Sequence, residues 1–313
     1  MRIGYTLACE EFTPAQLLDQ ARAAEEAGFD ALWISDHYHP WVDAQGQSPF
    51  VWSMIGALSQ VTRLPVTCPT VRVHPAVVAQ AAATSAVLLG GRFILGVGSG
   101  EALNEHILGA AWPETDQRLE MLEEAVEVIR RLWDGGFVNH HGRHYTVAHA
   151  RVYTLPERPP PVYVSGFGPK AIALAGRIGD GFVSTVPDAA AVERFRDSGG
   201  RGKPCQGGYK ACVAPTVEEA VAIAHRVWPN AGVPGELAQT LPSPRHFAQV
   251  AELVTPEHIR EAFVCGPDAG AHVAAVLRYA DAGFSDVYVA NTGPYQREFF
   301  DLYAREVLPK VRG

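Results

Sequence analysis

The chain has 313 residues, of which 47% are apolar and 19% charged, and a formal net charge of −8. That apolar share can bury a large core, which excludes an intrinsically disordered chain. The acidic balance disfavours nucleic-acid binding, which needs clustered Lys and Arg to meet phosphates.

Strand-like and helix-like segments alternate along the chain. Residues 2–7 read as a first strand. Residues 13–28 read as a helix, with Thr13 at the N-cap, Pro14 at the first helical position and Gly28 closing it. Residues 31–35 form a second strand, 50–60 a helix, 65–68 a short third strand, 74–89 an alanine-rich helix and 93–97 a fourth strand. In the helix expected over 113–133, Leu119, Leu122, Val126, Ile129 and Trp133 recur at three and four residues and make one apolar face. Gly135-Gly136 ends it. Residues 137–146, turning at His141-Gly142, read as a hairpin outside the alternation. Strands follow at 161–165, 181–184, 209–213 and 286–290, with a helix at 168–178 and a last helix to about residue 307. Residues 229–258 break the pattern and read as an insertion. Eight strands with helices between them and no compositional boundary predict one domain over 1–313, a closed (β/α)8 TIM barrel.

The five cysteines are scattered and form no C-x-x-C pair. That suits a reducing cytoplasm better than a disulfide framework or a zinc site. No apolar run approaches the roughly 18 residues of a membrane span, and the first residues enter a strand rather than a leader.

In such a barrel the chemistry lies at the C-terminal strand ends. Those positions hold Glu10 and Glu11, then Asp36, His37, His39 and Trp41, then Thr67 and Cys68, then Gly98-Ser-Gly-Glu101-Ala-Leu-Asn104, and Ser165-Gly-Phe-Gly168. Ser35-Asp36-His37 cannot be a hydrolase triad, because adjacent strand residues face opposite ways. It does place one histidine beside a carboxylate, able to exchange protons near neutral pH. A surface-loop histidine is the plainer reading, and the strand-end setting argues against it. Gly96-x-Gly98-x-Gly100 is not the dinucleotide fingerprint, since Glu101 stands where the final glycine belongs. Gly168-Pro169 opens a helix whose N-terminus suits a phosphate, or is an ordinary helix start. His140, His141, His144 and His149 have no metal-ligand spacing and read as a solvated turn.

Four motifs, Ser35-Asp-His-Tyr-His-Pro-Trp41, Thr67-Cys-Pro-Thr-Val-Arg72, Gly96-Val-Gly-Ser-Gly-Glu-Ala-Leu-Asn-Glu105 and Pro161-Val-Tyr-Val-Ser-Gly-Phe-Gly-Pro169, resemble the F420-dependent glucose-6-phosphate dehydrogenase branch of the bacterial luciferase-like superfamily. The resemblance implies a homodimeric β/α barrel that binds coenzyme F420. It implies that Asp36, Val66, Cys68, Ser99, Gly100 and Asn104 line the deazaflavin, with Val66 in a bulge after a non-prolyl cis peptide. Ser165, Gly166, Phe167 and Gly168 would meet the phosphate tail. His37 would take the substrate hydroxyl proton, Glu101 would serve the ring's proton and Trp41 would steady the reacting pair. Glu10, Thr185, Arg245 and His246 would face substrate.

The sequence departs from that pattern in three places. Strand three is entered by a shorter segment, Thr62-Arg-Leu-Pro65. Cys68 replaces a threonine. The substrate-phosphate clamp, two lysines and an arginine in the family, falls at Asp188, Arg245 and Ala262, which keeps one cation of three. Each lost charge-assisted contact removes about 1.5–3 kcal/mol, so a neutral alcohol or unphosphorylated sugar is expected. The competing readings are an FMN-dependent monooxygenase on the same barrel, an F420H2-dependent reductase, and a non-catalytic deazaflavin carrier.

Overall fold

Parallel strands covered on both faces are apolar along their length. Phe93–Val97 is the clearest example, buried at every position. The computed structural model describes residues 1–69 and 73–312, so Thr70, Val71 and Arg72 of the second motif lie outside the described residues. The strands are β1 (Arg2–Leu7), β2 (Ala31–Ile34), β3 (Val66–Pro69), β4 (Phe93–Val97), β5 (Val138–His141), β6 (Thr146–Ala150), β7 (Val162–Ser165), β8 (Gly181–Ser184), β9 (Cys205–Cys212), β10 (Phe263–Cys265) and β11 (Asp286–Asn291). β5 and β6 pair only with each other, antiparallel. The rest run in the order β10-β9-β11-β1-β2-β3-β4-β7-β8, and β9 also pairs with β8, which closes a ring of eight. This is the expected (β/α)8 barrel, with helices between the strands.

The barrel interior is filled by side chains from several strands. Trp33 stacks on Tyr288 with ring centroids 4.3 Å apart, and its indole N–H donates to Gln206 at 2.9 Å. Below them Arg2 forms a two-pronged pair with Asp286 at 2.8 and 2.6 Å, tying the first barrel strand to the last. These large rings fit because glycines face them. A Cβ at Gly4 would lie 2.2 Å from the Tyr288 ring, and one at Gly208 would lie 2.5 Å from Trp33.

Three expectations change. The seventh barrel strand begins at Cys205, not at residue 209, because Gly207-Gly208 reads as a turn yet sits inside the sheet opposite rings. β10 was not expected; its three residues are too few for a periodic signal. The insertion is helical, with segments Leu237–Thr240, Pro244–Ala251 and Pro256–Ala262. The cis bulge at Val66 is also corrected. No peptide among the described residues is cis, and Val66 N donates to Arg92 O at 2.9 Å while Pro65 O accepts from Leu32 N at 2.8 Å, the ladder of a regular strand.

Gly4→Ala should lower stability by about 1–3 kcal/mol, as overpacking of a filled interior does. Urea unfolding checks this against Gly136→Ala, an exposed position where nothing lies within 4 Å of the added carbon.

Candidate active site

Glu10, just past β1, is 2% exposed. It is held by the Ser35 hydroxyl, which donates to its Oε2 at 2.6 Å while accepting from Cys9 N at 2.9 Å. His37 stands in the loop after β2, with Nε2 3.3 Å from Glu10 Oε1 and 3.9 Å from Glu101 Oε2. The other ring nitrogen, Nδ1, lies 3.1 Å from Asn104 Nδ2. The Ser48 hydroxyl donates to the His37 carbonyl. Trp41 packs on His37 with ring centroids 5.0 Å apart, and Phe247 of the insertion packs edge-on against Trp41 at 5.0 Å. Strand ends far apart in sequence thus bring Glu10, His37, Trp41, Glu101 and Asn104 together.

Lys210 was not anticipated. It is a lone charge on β9, and it feels the fields of both Glu10 and Glu101. Burial lowers its proton affinity, and the two carboxylates oppose that. Its ammonium lies 4.8 Å from the centre of the Trp228 ring. Trp228 in turn donates its indole N–H to Glu11 at 2.6 Å, where Thr292 Oγ1 and Gly293 N also donate at 2.6 Å. Burial raises the proton affinity of Glu11 in spite of those donors. The only sequence signal for Lys210 was a charge inside an otherwise uncharged strand. Burial likewise raises Glu101, with Glu10 adding to the effect and His37, Asn104 and Lys210 opposing it.

A cavity of about 380 Å³ opens between β4 and the helices that follow β3 and β4, lined among others by Val73, Val97, Gly98, Ser99, Leu108 and Trp112, and by none of Glu10, His37, Trp41, Glu101 or Asn104. Gly100 adopts a left-handed φ of +79°, which turns the chain tightly between Ser99 and Glu101. Across the rim, the helix Pro169–Ile178 starts at Gly168 with no side-chain cap, so its first N–H groups face the Ser165–Gly168 loop. A Cβ at Gly168 would meet nothing within 4 Å, and Phe167 beside it is 52% exposed. Val66 and Cys68 are fully buried in β3, and Asp36 is half-buried before His37.

The remaining expected residues are not gathered here. Thr185 is exposed after β8, with its carbonyl bound by the Tyr279 hydroxyl at 2.8 Å. Arg245 and His246 are exposed in the first turn of Pro244–Ala251, where the inward residue is Phe247. Asp188 caps a helix by accepting from Ala190 N at 2.8 Å. Of the hairpin histidines, His141 and His149 are exposed as expected of a solvated turn, but His140 and His144 are not. His140 pairs with Glu124 at 3.0 Å, and Glu124 also accepts from His144 N and Tyr145 N, so the hairpin is fastened to the long helix.

A parallel eight-stranded barrel with a histidine–carboxylate cluster at its C-terminal rim defines a β/α-barrel protein built for proton-coupled chemistry. The model of the luciferase-like monooxygenase family matches residues 1–286, and the chain belongs to that family. It is similar to the F420-dependent glucose-6-phosphate dehydrogenases of Microbacterium testaceum (34% identical over 328 residues, covering 100% of this chain and 98% of the relative) and Nakamurella multipartita (35%, covering 100% and 97%). Among solved structures it is similar to an F420-dependent secondary alcohol dehydrogenase in complex with an F420-acetone adduct (32% identity, TM-score 0.92, covering 100% and 99%). The coenzyme F420-dependent tetrahydromethanopterin reductase of Methanopyrus kandleri shares the fold at 19% identity (TM-score 0.78, covering 99% and 99%).

Glu101 should hold its proton to a higher pH than an ordinary glutamate. Lys210→Met removes a neighbouring positive charge and should move that titration higher still. Carboxyl-carbon NMR of glutamate-labelled protein, with Glu101→Gln to assign the signal, reads both effects.

Proposed function

We propose that this chain is a coenzyme F420-dependent dehydrogenase that moves hydride between an alcohol or unphosphorylated sugar and the deazaflavin. The observation that carries the reading is His37 Nε2 set between Glu10 at 3.3 Å and Glu101 at 3.9 Å. A hydroxyl that reaches this point has a hydrogen-bonding ring and carboxylates within range of its proton.

The residues present fit the coenzyme. The apolar cavity beside Ser99 suits a flat aromatic ring, and the uncapped helix start at Gly168 suits a phosphate. Asp36, Ser99 and Gly100 would hold the ring side, backed by the buried Val66, Cys68 and Asn104, and Ser165, Gly166, Phe167 and Gly168 would hold the tail. Bound there, the deazaflavin supplies a carbon that accepts or returns hydride. The protein's part is to orient and to handle protons. Ser35 and Glu10 anchor His37, Trp41 walls the reacting oxygen on one side, and Glu101 exchanges a proton at its Oε2.

The neutral substrate follows from charge. Glu10 and Glu101 set two carboxylates against the single ammonium of Lys210, and the family's clamp positions offer an N-capping Asp188, an exposed Arg245 and an uncharged Ala262. A phosphate dianion would meet net negative charge. A homodimer and a cytoplasmic setting belong to the same proposal. The helix Pro75–Leu88 is apolar on its outer face too, with Val77, Val87 and Leu88 all more than 40% exposed, as a helix covered by a second copy would be. Cys9, Cys205, Cys212 and Cys265 are free thiols, which suits a reducing compartment.

Purified protein should bind F420 and oxidise secondary alcohols or free sugars with kcat/KM about 10²-fold or more above glucose 6-phosphate, the ratio expected from two missing charge-assisted contacts. Micromolar affinity for glucose 6-phosphate, or FMN as the co-purifying coenzyme, would overturn this. His37→Ala and Glu101→Gln should each lower kcat by about 10²–10⁴ and leave F420 affinity within a few-fold by fluorescence titration. Light scattering after size exclusion should give a dimer that Val87→Glu with Leu88→Lys converts to monomer.

A further inference from the structure

Every hydrogen-bonding position of the Asn104 amide is used inside the protein. Its Oδ1 accepts from Tyr38 N at 2.8 Å and from His39 N at 3.3 Å. Its Nδ2 donates to Glu101 Oε2 at 3.3 Å and faces His37 Nδ1 at 3.1 Å. The side chain is 5% exposed, so water does not substitute for these partners. The amide cannot be reversed in place. Reversal would turn its NH₂ toward two backbone N–H donors and its oxygen toward the Glu101 carboxylate.

An amide NH₂ only donates, so His37 Nδ1 must accept. The neutral ring then carries its proton on Nε2, the nitrogen aimed at Glu10 and Glu101. We infer that Asn104 is a positioning residue that fixes His37 as the Nε2–H tautomer, which makes His37 a hydrogen-bond donor to the reacting oxygen. The tautomer rests on geometry alone; its catalytic meaning rests on the hydride-transfer reading above.

A ring with a proton at Nε2 has no lone pair there to act as a base. The hydroxyl proton of an alcohol therefore goes to a carboxylate. The O–H bond breaks and its proton passes to Glu101. The C–H bond breaks, with its electron pair leaving as hydride to the coenzyme, and C=O forms while Nε2–H holds the oxygen. Glu101, whose proton affinity burial raises, is suited to that duty near neutral pH. The role expected of His37, taking the hydroxyl proton, thus moves to Glu101. His37 acts instead as a neutral imidazole that donates to the oxygen.

The test uses coenzyme-free protein labelled with ¹⁵N in its histidine rings. Long-range ¹H–¹⁵N spectra distinguish a protonated from a bare ring nitrogen, and His37 is assigned by the signal lost in His37→Gln. The wild type should show Nε2 protonated and Nδ1 bare. Asn104→Asp offers oxygens both to the two backbone donors and to Nδ1, so the ring should switch to Nδ1–H. Asn104→Ser, which fixes neither nitrogen, should give a mixture. A wild-type ring protonated at Nδ1, or an Asn104→Asp ring protonated at Nε2 and bare at Nδ1, overturns the inference. The wild-type spectrum decides it even if Asn104→Asp does not fold. Absence of F420 activity with an Nε2–H ring would instead sink the functional reading and leave the tautomer standing.

Discussion

The site depends on β9 pairing along both of its edges. One edge meets β8 through Phe182↔Cys205 and Val183↔Gln206, and the other meets β11 through Asp286↔Gln206 onward. Without that double pairing the parallel sheet would stay open, and its eight C-terminal ends would not face one centre. With it, residues separated by up to two hundred positions meet: Glu10 from β1, His37 from β2, Glu101 and Asn104 from β4 and Lys210 from β9. The upper edge of β9 has a third partner, β10, through Phe263↔Lys210. The strand that closes the ring therefore also holds the insertion close to the site.

The cluster gathers charge that burial penalises. Glu11 and Glu101 are raised and Lys210 is lowered for the same reason, removal from water. Polar partners offset part of that cost. Glu11 has three donors, Glu10 has Ser35 and His37, and Lys210 has the face of Trp228. A surface version of the same residues would keep ordinary proton affinities and would lose its fixed geometry.

Much of the fold was legible because its signals are local. Thr13 and Gly28 bracket a helix, and they cap it in the structure, Thr13 through a full capping box with Gln16. The fourth strand is an unbroken apolar run and is buried throughout. What stayed hidden depends on partners distant in sequence. Gly207-Gly208 looks like a turn until Tyr279 and Trp33 are seen to occupy the space of the missing side chains. His37, Glu101 and Asn104 were picked out by strand-end position and resemblance. That Glu10 fixes one side of the His37 ring and Asn104 the other needed coordinates. Lys210 gave almost no signal, since a lysine in a strand is as readily a solvated edge. Arg245 and His246, named by resemblance, are exposed beside Phe247, which turns inward onto Trp41.

The glycines at 4 and 208 let Tyr288 and Trp33 plug the barrel from within, above the Arg2–Asp286 lock. Traffic through the site is consequently one-ended, because molecules enter and leave by the same rim. On the proposed function, coenzyme and substrate would have to share that one doorway.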